Sequence, residues 1–127
     1  MRMWMVDPRV MCNQHLLGEH VELHMTVGCL AKGYERTAYA LAQMNLLELD
    51  NLGWRHADIR DEMLARGMNH QSPLTQSDIE SGVYLGRVDV EESYREMARR
   101  CEDCRVKQQS WWCVLEAEYW NEQRREA

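Results

Sequence analysis

The chain has 127 residues, 45% of them hydrophobic, and its 15 basic and 21 acidic side chains leave a formal net charge of -6. A chain of this length builds one hydrophobic core, so residues 1–127 are predicted to form a single domain. No apolar run approaches the ~18 residues of a membrane span, and Arg2, Asp7 and Arg9 interrupt the region that a signal peptide keeps uncharged, so we expect a cytoplasmic protein without a membrane partner.

The predicted elements are helical throughout, and the first helix is expected over residues 8–32. Asp7 is a good N-cap, Pro8 suits the first helical position, and Gly33 is a natural stop. At 100° per residue the helix has an apolar face and, beside it, a polar face. The apolar face comprises Leu16, Leu23, Val27 and Leu30, and the polar face comprises His15, Glu19, Glu22 and Thr26.

Further helices are predicted in chain order. A short helix is expected over residues 39–49, a second main helix over 52–67 with Gly67 as its stop, and a third over 89–108, which contains neither Gly nor Pro. The inward residues of the second main helix are expected to be Leu52, Ile59, Met63 and Leu64. The intervening segment, 68–87, contains Pro73, Gly82 and Gly86 and is predicted to be an irregular connection with one turn after Ser77. The fold class is therefore all-α, a compact single domain with three main helices.

The acidic excess is unevenly distributed along the chain. Residues 1–36 carry four basic and four acidic side chains, residues 87–108 carry six of each, and the excess of acid lies in 37–86 and 109–127. An acidic chain is a poor general binder of phosphate, because such binding depends on Lys and Arg. The two balanced segments can still present a locally positive surface.

Histidine and cysteine pairs raise the question of a metal site. His20 and His24 resemble part of a zinc-protease helix, but that motif needs its Glu directly after the first His, and Glu22 points about 200° away from His20. Cys101 and Cys104 have zinc-like spacing, yet they fall inside a predicted helix and no second such pair exists. Because a site needs three or four ligands, we expect no metal and no other cofactor. The five cysteines, an odd number, are expected to be reduced.

Three blocks of sequence resemble one family of repair enzymes. Arg2, Gln14-His15-Leu16-Leu17 and Glu19-His20-Val21-Glu22-Leu23 are similar to the opening of the phage pyrimidine-dimer DNA glycosylases, the endonuclease V type of UV-damage repair enzyme. The family's middle helix is matched in order by Arg55, Ile59, Glu62, Leu64, Arg66-Gly67 and Asn69, and its last helix and aromatic tail by Glu92, Ser93, Arg100 and Ser110-Trp111-Trp112. The resemblance implies a three-helix fold with an N-terminal segment threading between the helices and an aromatic C-terminal tail. It also implies excision of a damaged base followed by cleavage of the abasic site (AP lyase), in a bacterial or phage-infected cell.

The family's chemistry explains why the chain start matters. An amine that attacks C1′ of the sugar must be unprotonated. An α-amine with a pKa of about 7.7 to 8.0 is roughly a tenth neutral at pH 7, whereas a lysine near about 10.4 is only about 0.04% neutral. The family usually exposes a small residue by removing the initiator Met, but here a large residue, Arg2, follows it, and Met1 itself falls at the nucleophile's position. We therefore expect the Met1 α-amine as nucleophile and Glu22 as the catalytic carboxylate, with His15 and Glu19 orienting it. Taken alone, the two glutamates are read as a solvated helix face.

The expected partner is duplex DNA that contains damaged bases or abasic sites, bound by a monomer. The candidate DNA contacts are Arg2, Arg100, Arg105 and Lys107 for phosphates or the minor groove, with Trp111 and Trp112 for stacking on bases. Ordinary surface charge and core packing are the alternatives for these residues. Val21 and Met25 stand where the family carries basic residues, so another damaged or modified base remains an alternative substrate. A non-catalytic helical module that binds DNA or protein, and a small metal-binding regulator, are the other classes that fit.

Overall fold

A computed structural model describes residues 1–70 and 72–126. Within these residues the chain is all-helical, with five α-helices and no β-strand. The helices are α1 (Asn13–Ala31), α2 (Glu35–Gln43), α3 (Leu52–Ala65), α4 (Val90–Arg100) and α5 (Glu102–Glu126), and short 3-10 turns cover Pro8–Val10 and Leu49–Asn51. None of the described helices has both the length and the apolar character needed to cross a membrane.

The first helix begins later than residue 8, where the sequence predicted it. The Asp7 carboxylate caps only the 3-10 turn at Pro8–Val10, accepting a hydrogen bond from the Arg9 N–H at 2.9 Å. The backbone then becomes extended, and α1 starts at Asn13 with Cys12 as its N-cap. The prediction was wrong at this end because the Asp-Pro signal starts a separate turn rather than the helix.

The two middle helices differ in how well they were predicted. Helix α3 agrees with the prediction, and it stops before Gly67, whose φ of 76° lies in the left-handed region that favours glycine. Helix α2 begins at Glu35 and ends at Gln43, so the prediction of a helix over 39–49 was wrong at both ends. Leu64, predicted to point inward, is 54% exposed. As predicted, the described residues between α3 and α4 form no helix.

The predicted helix over residues 89–108 is two helices. Helix α4 ends at Arg100, Cys101 has extended backbone angles (φ -133°, ψ 113°), and α5 begins at the next residue. No Gly or Pro marks this break, so the local sequence could not reveal it. The break places Cys101 directly before the first turn of α5, and the aromatic residues predicted as a tail lie on that helix.

Residues 1–7, the N-terminal segment, pack into the core. Met3, Trp4 and Val6 are buried, and the Met3 N–H donates to the Leu46 carbonyl at 2.8 Å. The rest of the core comes from every α-helix and from the 3-10 turns; its fully buried members include Leu16, Leu23, Ala38, Leu49, Ile59, Met97 and Cys104. Because the N-terminal segment also contacts the polar face of α1, Glu19 and Thr26 are buried rather than solvated.

Candidate active site

Glu22, predicted to be the catalytic carboxylate, contacts the residue that follows Met1, the predicted nucleophile. The Glu22 carboxylate accepts a hydrogen bond from the backbone N–H of Arg2 at 3.0 Å, which places it one residue from the Met1 α-amine. One turn further along α1, Thr26 Oγ1 contacts the Met1 sulfur at 3.6 Å and donates to the Glu22 carbonyl at 2.8 Å. The start of the chain is therefore aligned along the face of α1 that carries Glu22.

Glu19 holds the next part of the N-terminal segment. Its Oε1 accepts the Trp4 N–H at 3.0 Å, and both of its oxygens bind the Arg55 guanidinium, at 2.5 Å from Nε and 3.0 Å from Nη2. Arg55 also donates to the Val6 carbonyl at 2.6 Å. The two charged side chains are 0% and 3% exposed, so the pair is a desolvated, bidentate clamp between α1, α3 and the N-terminal segment. Glu19 thus orients the backbone that carries Met1, and no hydrogen bond in the described residues links it to Glu22.

A cleft of about 240 Å³ opens beside Glu22, and its walls are Trp4, Gln14, His15, Gly18, Glu19 and Glu22. His15 lies edge-on to the Trp4 ring, with the ring centroids 5.9 Å apart. Its Nδ1 does not face Glu22, because it lies 3.2 Å from the Cys12 sulfur. The structure therefore brings His15 into the cleft wall but turns its ring nitrogen toward the cysteines.

Arg2 is the predicted DNA contact nearest to the cleft. Its guanidinium lies 4.0 Å from the centroid of the Trp4 ring and donates to Ser93 Oγ at 3.4 Å. Burial, and then the neighbouring Arg100, lower the pKa of Arg2, while nearby carboxylates, Glu22 among them, oppose the shift. Arg100 is itself paired with Glu96 at 2.5 Å. Two cations therefore lie close together beside the cleft, each with acidic neighbours.

The other predicted DNA contacts lie on α5. Arg105 is exposed, with Glu102 at 3.9 Å, and Lys107 is half-buried. The half-buried Trp111 packs under the Arg9 guanidinium, 4.9 Å from its ring centroid, whereas Trp112 is 63% exposed. Trp112 borders an apolar groove of about 420 Å³ with Tyr94, Leu115, Tyr119 and Trp120. Of the two tryptophans, Trp112 is thus the more accessible to a base.

Four potential metal ligands meet where α1 and α5 begin. Only two of them, Cys101 and Cys104, have a spacing in the sequence that suggests a metal site. Cys12, His15, Cys101 and Cys104 offer one ligand atom each, and these atoms all lie within 4.8 Å of one another. This group is called the cysteine cluster below. Burial raises the pKa of Cys104 to about 12, whereas at Cys101 hydrogen bonds from Cys104 and Cys12 outweigh burial and lower the pKa. Cys113, further along α5, is exposed and is not a member of the cluster.

A second group, the histidine cluster, consists of His20, His24, His56 and His70. Their ring centroids lie 4.7 to 5.2 Å apart in the five pairs that are in contact. Burial, followed by the other three histidines and Arg60, lowers the pKa of His56 to about 4, and burial with His24 and His70 lowers that of His20. Both pKa shifts favour the uncharged form of these two rings. The sequence suggested only the i, i+4 pair His20 and His24, since nothing local connects them to His56 or His70.

Comparison with known proteins gives one match. The family model for pyrimidine dimer DNA glycosylase matches residues 1–76 of the 127, a stretch that contains Met1, Glu19, Glu22 and Arg55. No curated protein and no solved structure matches the chain. The match ends before α4, so the contributions of Arg100, Cys101 and the aromatic residues of α5 come from outside the matched residues.

Proposed function

The chain belongs to the pyrimidine dimer DNA glycosylase family, and we propose that it excises a dimerised pyrimidine from duplex DNA and then cleaves the strand at the abasic site. The proposal has one principal support in the geometry, the 3.0 Å hydrogen bond between the Arg2 N–H and the Glu22 carboxylate. The contact supports the proposal because it holds an acidic group against the residue that follows the first amine of the chain. A glycosylase that also acts as a lyase needs this combination of an amine and a proton-transferring group.

In the proposed first step the neutral α-amine of Met1 attacks C1′ of the damaged nucleotide. The glycosidic bond breaks and its electron pair leaves with the base, which takes up a proton. Opening of the sugar at O4′, with transfer of protons from the amine nitrogen, leaves an imine between Met1 and C1′. Glu22 stabilises the cationic sugar and the protonated imine, because it lies one residue from the nitrogen that becomes positive.

In the second step the imine makes the C2′ proton acidic. Its removal forms the C2′–C3′ double bond and expels the 3′ phosphate, which cuts the strand, and water then releases Met1 from the imine. Glu22 is the group that we assign to these proton transfers, since it is half-buried at the edge of the cleft beside Trp4. Glu19 and Arg55 act as positioning residues, because they hold Trp4 and Val6 and so fix the path of the N-terminal segment.

Access to the sugar requires the duplex to be kinked or the nucleotide to be flipped, at a cost of a few kcal/mol that is lowest for damaged sites. Arg2, which lies over the ring of the cleft residue Trp4, and its neighbour Arg100 are assigned to phosphates or the minor groove. Their carboxylate neighbours and the net charge of -6 predict weak binding to undamaged DNA, with a shallow salt dependence because few cations are free to pair with phosphates. Selection then depends on the lesion more than on general affinity for the duplex.

The test is borohydride trapping on two duplexes, one with a thymine dimer and one with an abasic site. Borohydride reduces the imine to a stable adduct, and peptide mapping identifies the attached residue. We expect adducts on both duplexes, attached at Met1, and at least a hundredfold less product with Glu22→Gln. Glu91→Gln, which changes an exposed carboxylate on α4, is the matched control and is expected to behave as the wild type.

A second arm tests the amine directly. Protein carrying a short N-terminal extension is compared with the same protein after the extension is cleaved to leave Met1 first, with the new terminus verified by intact mass. We expect activity only after cleavage. Full turnover by the extended protein would overturn the α-amine mechanism, an adduct on the abasic duplex alone would overturn the dimer as substrate, and no adduct on either would overturn the enzyme assignment.

A further inference from the structure

The cysteine cluster is built from the same local arrangement used twice. Cys12 is the N-cap of α1, and its sulfur accepts the N–H of His15 three residues later at 3.4 Å. Cys101 immediately precedes α5, and its sulfur accepts the N–H of Cys104, again three residues later, at 3.4 Å. Each helix start thus offers two ligands at the end of the helix dipole that favours negative charge.

Three of the six distances between ligand atoms in the cysteine cluster are close to those of a tetrahedral zinc site, and all six are within 4.8 Å. Zinc–sulfur bonds of about 2.3 Å and zinc–nitrogen bonds of about 2.0 Å place two sulfurs about 3.8 Å apart and a sulfur about 3.5 Å from a nitrogen. The Cys12 and Cys101 sulfurs are 3.9 Å apart, and His15 Nδ1 lies 3.2 Å from the sulfur of Cys12 and 3.5 Å from that of Cys104. One ion can therefore reach all four atoms without moving the backbone.

The surroundings of the sulfurs also suit thiolate ligands. Each of the three accepts one backbone N–H, and the third such bond runs from the Cys12 N–H to the Cys104 sulfur at 3.3 Å. Backbone donors of this kind orient metal-bound sulfurs and spread their negative charge. Cys12 and Cys104 are buried, so the site has little access for water.

We propose that Cys12, His15, Cys101 and Cys104 bind one zinc ion as a structural site. Three thiolates and one imidazole are a ligand set typical of closed structural zinc, with no position left for a substrate. The ion joins the start of α1, the helix that carries Glu22, to the junction of α4 and α5. Its ligands Cys12 and Cys101 are 89 residues apart in the chain. The proposal is independent of the proposed function, since none of its ligands is a reacting group.

The experiment uses reduced wild-type protein purified without a metal-binding tag, with metal content measured by inductively coupled plasma mass spectrometry. Cobalt substitution is expected to produce thiolate-to-cobalt charge-transfer absorption together with the strong visible bands of a tetrahedral site. Cys101→Ser is expected to abolish the charge-transfer signal of a Cys3His site and to lose one zinc per chain. Cys113→Ser, on the same helix but exposed, is the control and is expected to keep both.

The wild type itself provides a measurement that does not depend on a variant folding. Zinc at a hundred times its Kd is expected to raise Tm by roughly 10 °C over the chelated protein. Absence of charge-transfer absorption in the reduced wild type would overturn the site. A disulfide between Cys12 and Cys101, detected by intact mass under the purification conditions and persisting when zinc is supplied, would overturn it as well.

The histidine cluster supports a second site through a different observation. The Nε2 atoms of His20 and His24 are buried and have no hydrogen-bond partner within residues 1–70 and 72–126. A buried nitrogen left unpaired is destabilising, and a bound cation gives it a partner. The ligand atoms of His20, His24 and His56 all lie within 4.8 Å of one another, and His70 Nε2 lies 3.2 Å from His56 Nε2.

We infer that His20, His24 and His56 bind a second divalent cation of the zinc type through three imidazoles, with His70 held against His56. Imidazole is a ligand that suits zinc, copper and nickel. The probes are the same two metals as for the first site, zinc and cobalt, each added alone. His24→Gln is expected to lower the zinc content from two ions per chain to one and to leave the cobalt–thiolate absorption unchanged. Cys101→Ser, in turn, is expected to lose the ion of the cysteine cluster and to keep the ion of the histidine cluster. An unchanged zinc content in His24→Gln and in His56→Gln would overturn this site without affecting the first.

Discussion

Replacing Arg55 with methionine tests the clamp that positions the N-terminal segment. Methionine keeps the length and much of the volume of the side chain but removes the charge. Glu19, which is 0% exposed, is then left as a buried carboxylate whose remaining hydrogen-bond donor is the Trp4 N–H at 3.0 Å. The Val6 carbonyl also loses the guanidinium donor at 2.6 Å.

The expected loss of unfolding free energy is large because the Glu19 carboxylate stays buried without its partner cation. Removing one member of a buried ion pair costs about 3–5 kcal/mol, most of it the penalty of leaving the other charge desolvated. For a domain of this size each kcal/mol lowers Tm by about 4 °C, so Arg55→Met is expected to unfold roughly 12–20 °C below the wild type. Replacing both partners, in Glu19→Leu with Arg55→Met, is expected to recover part of that loss, since no unpaired charge remains.

The assay is urea unfolding followed by circular dichroism, with Arg60→Met as the matched control. Arg60 lies on the same helix but is exposed and pairs with its neighbour Asp61, so its replacement is expected to change the unfolding free energy by less than about 0.5 kcal/mol. A loss below about 1 kcal/mol in Arg55→Met would refute the reasoning. So would a double variant at Glu19 and Arg55 that is less stable than Arg55→Met alone.

Three further outcomes are expected. Gly86→Ala is expected to lose about 2 kcal/mol or more of unfolding free energy, because Gly86 has a φ of 88° and an added Cβ would collide with the Leu47 carbonyl. Gly28→Ala is the control, since an added Cβ there meets no atom within 4 Å, and it is expected to gain about 0.5–1 kcal/mol. Equal effects of the two variants in urea titrations would contradict this. Trp112→Ala is expected to leave stability nearly unchanged and to weaken binding to an abasic duplex about tenfold by fluorescence anisotropy, the size of one lost stacking contact; undiminished affinity would remove Trp112 from the DNA interface. Arg105→Gln is expected to reduce the slope of log K against log salt by about one phosphate contact, and an unchanged slope would show that Arg105 does not touch the backbone.

Local signals were sufficient for several parts of the molecule. The bounds of α3 and its glycine stop, the irregular segment before α4 and the all-helical class follow from periodicity and capping, which act within one or two turns. The candidate pair Met1 and Glu22 came from a resemblance in the order of residues, and the family match over residues 1–76 supports the same assignment of the chain. These features share one property, namely that their information lies close together along the sequence.

Only the tertiary structure decided which side chains meet. Glu19 had the spacing of a solvated face, and it is buried because the N-terminal segment covers α1 and brings it to Arg55 on α3. The pair Cys101 and Cys104 was read as part of one helix, whereas the chain breaks there and sets both against the start of α1. Contacts between residues distant in the chain depend on how helices pack, and no local period encodes them. The amino-acid sequence therefore determined the helical class, the bounds of α3 and the family, and the packing of α1 against α3 and the N-terminal segment determined the site.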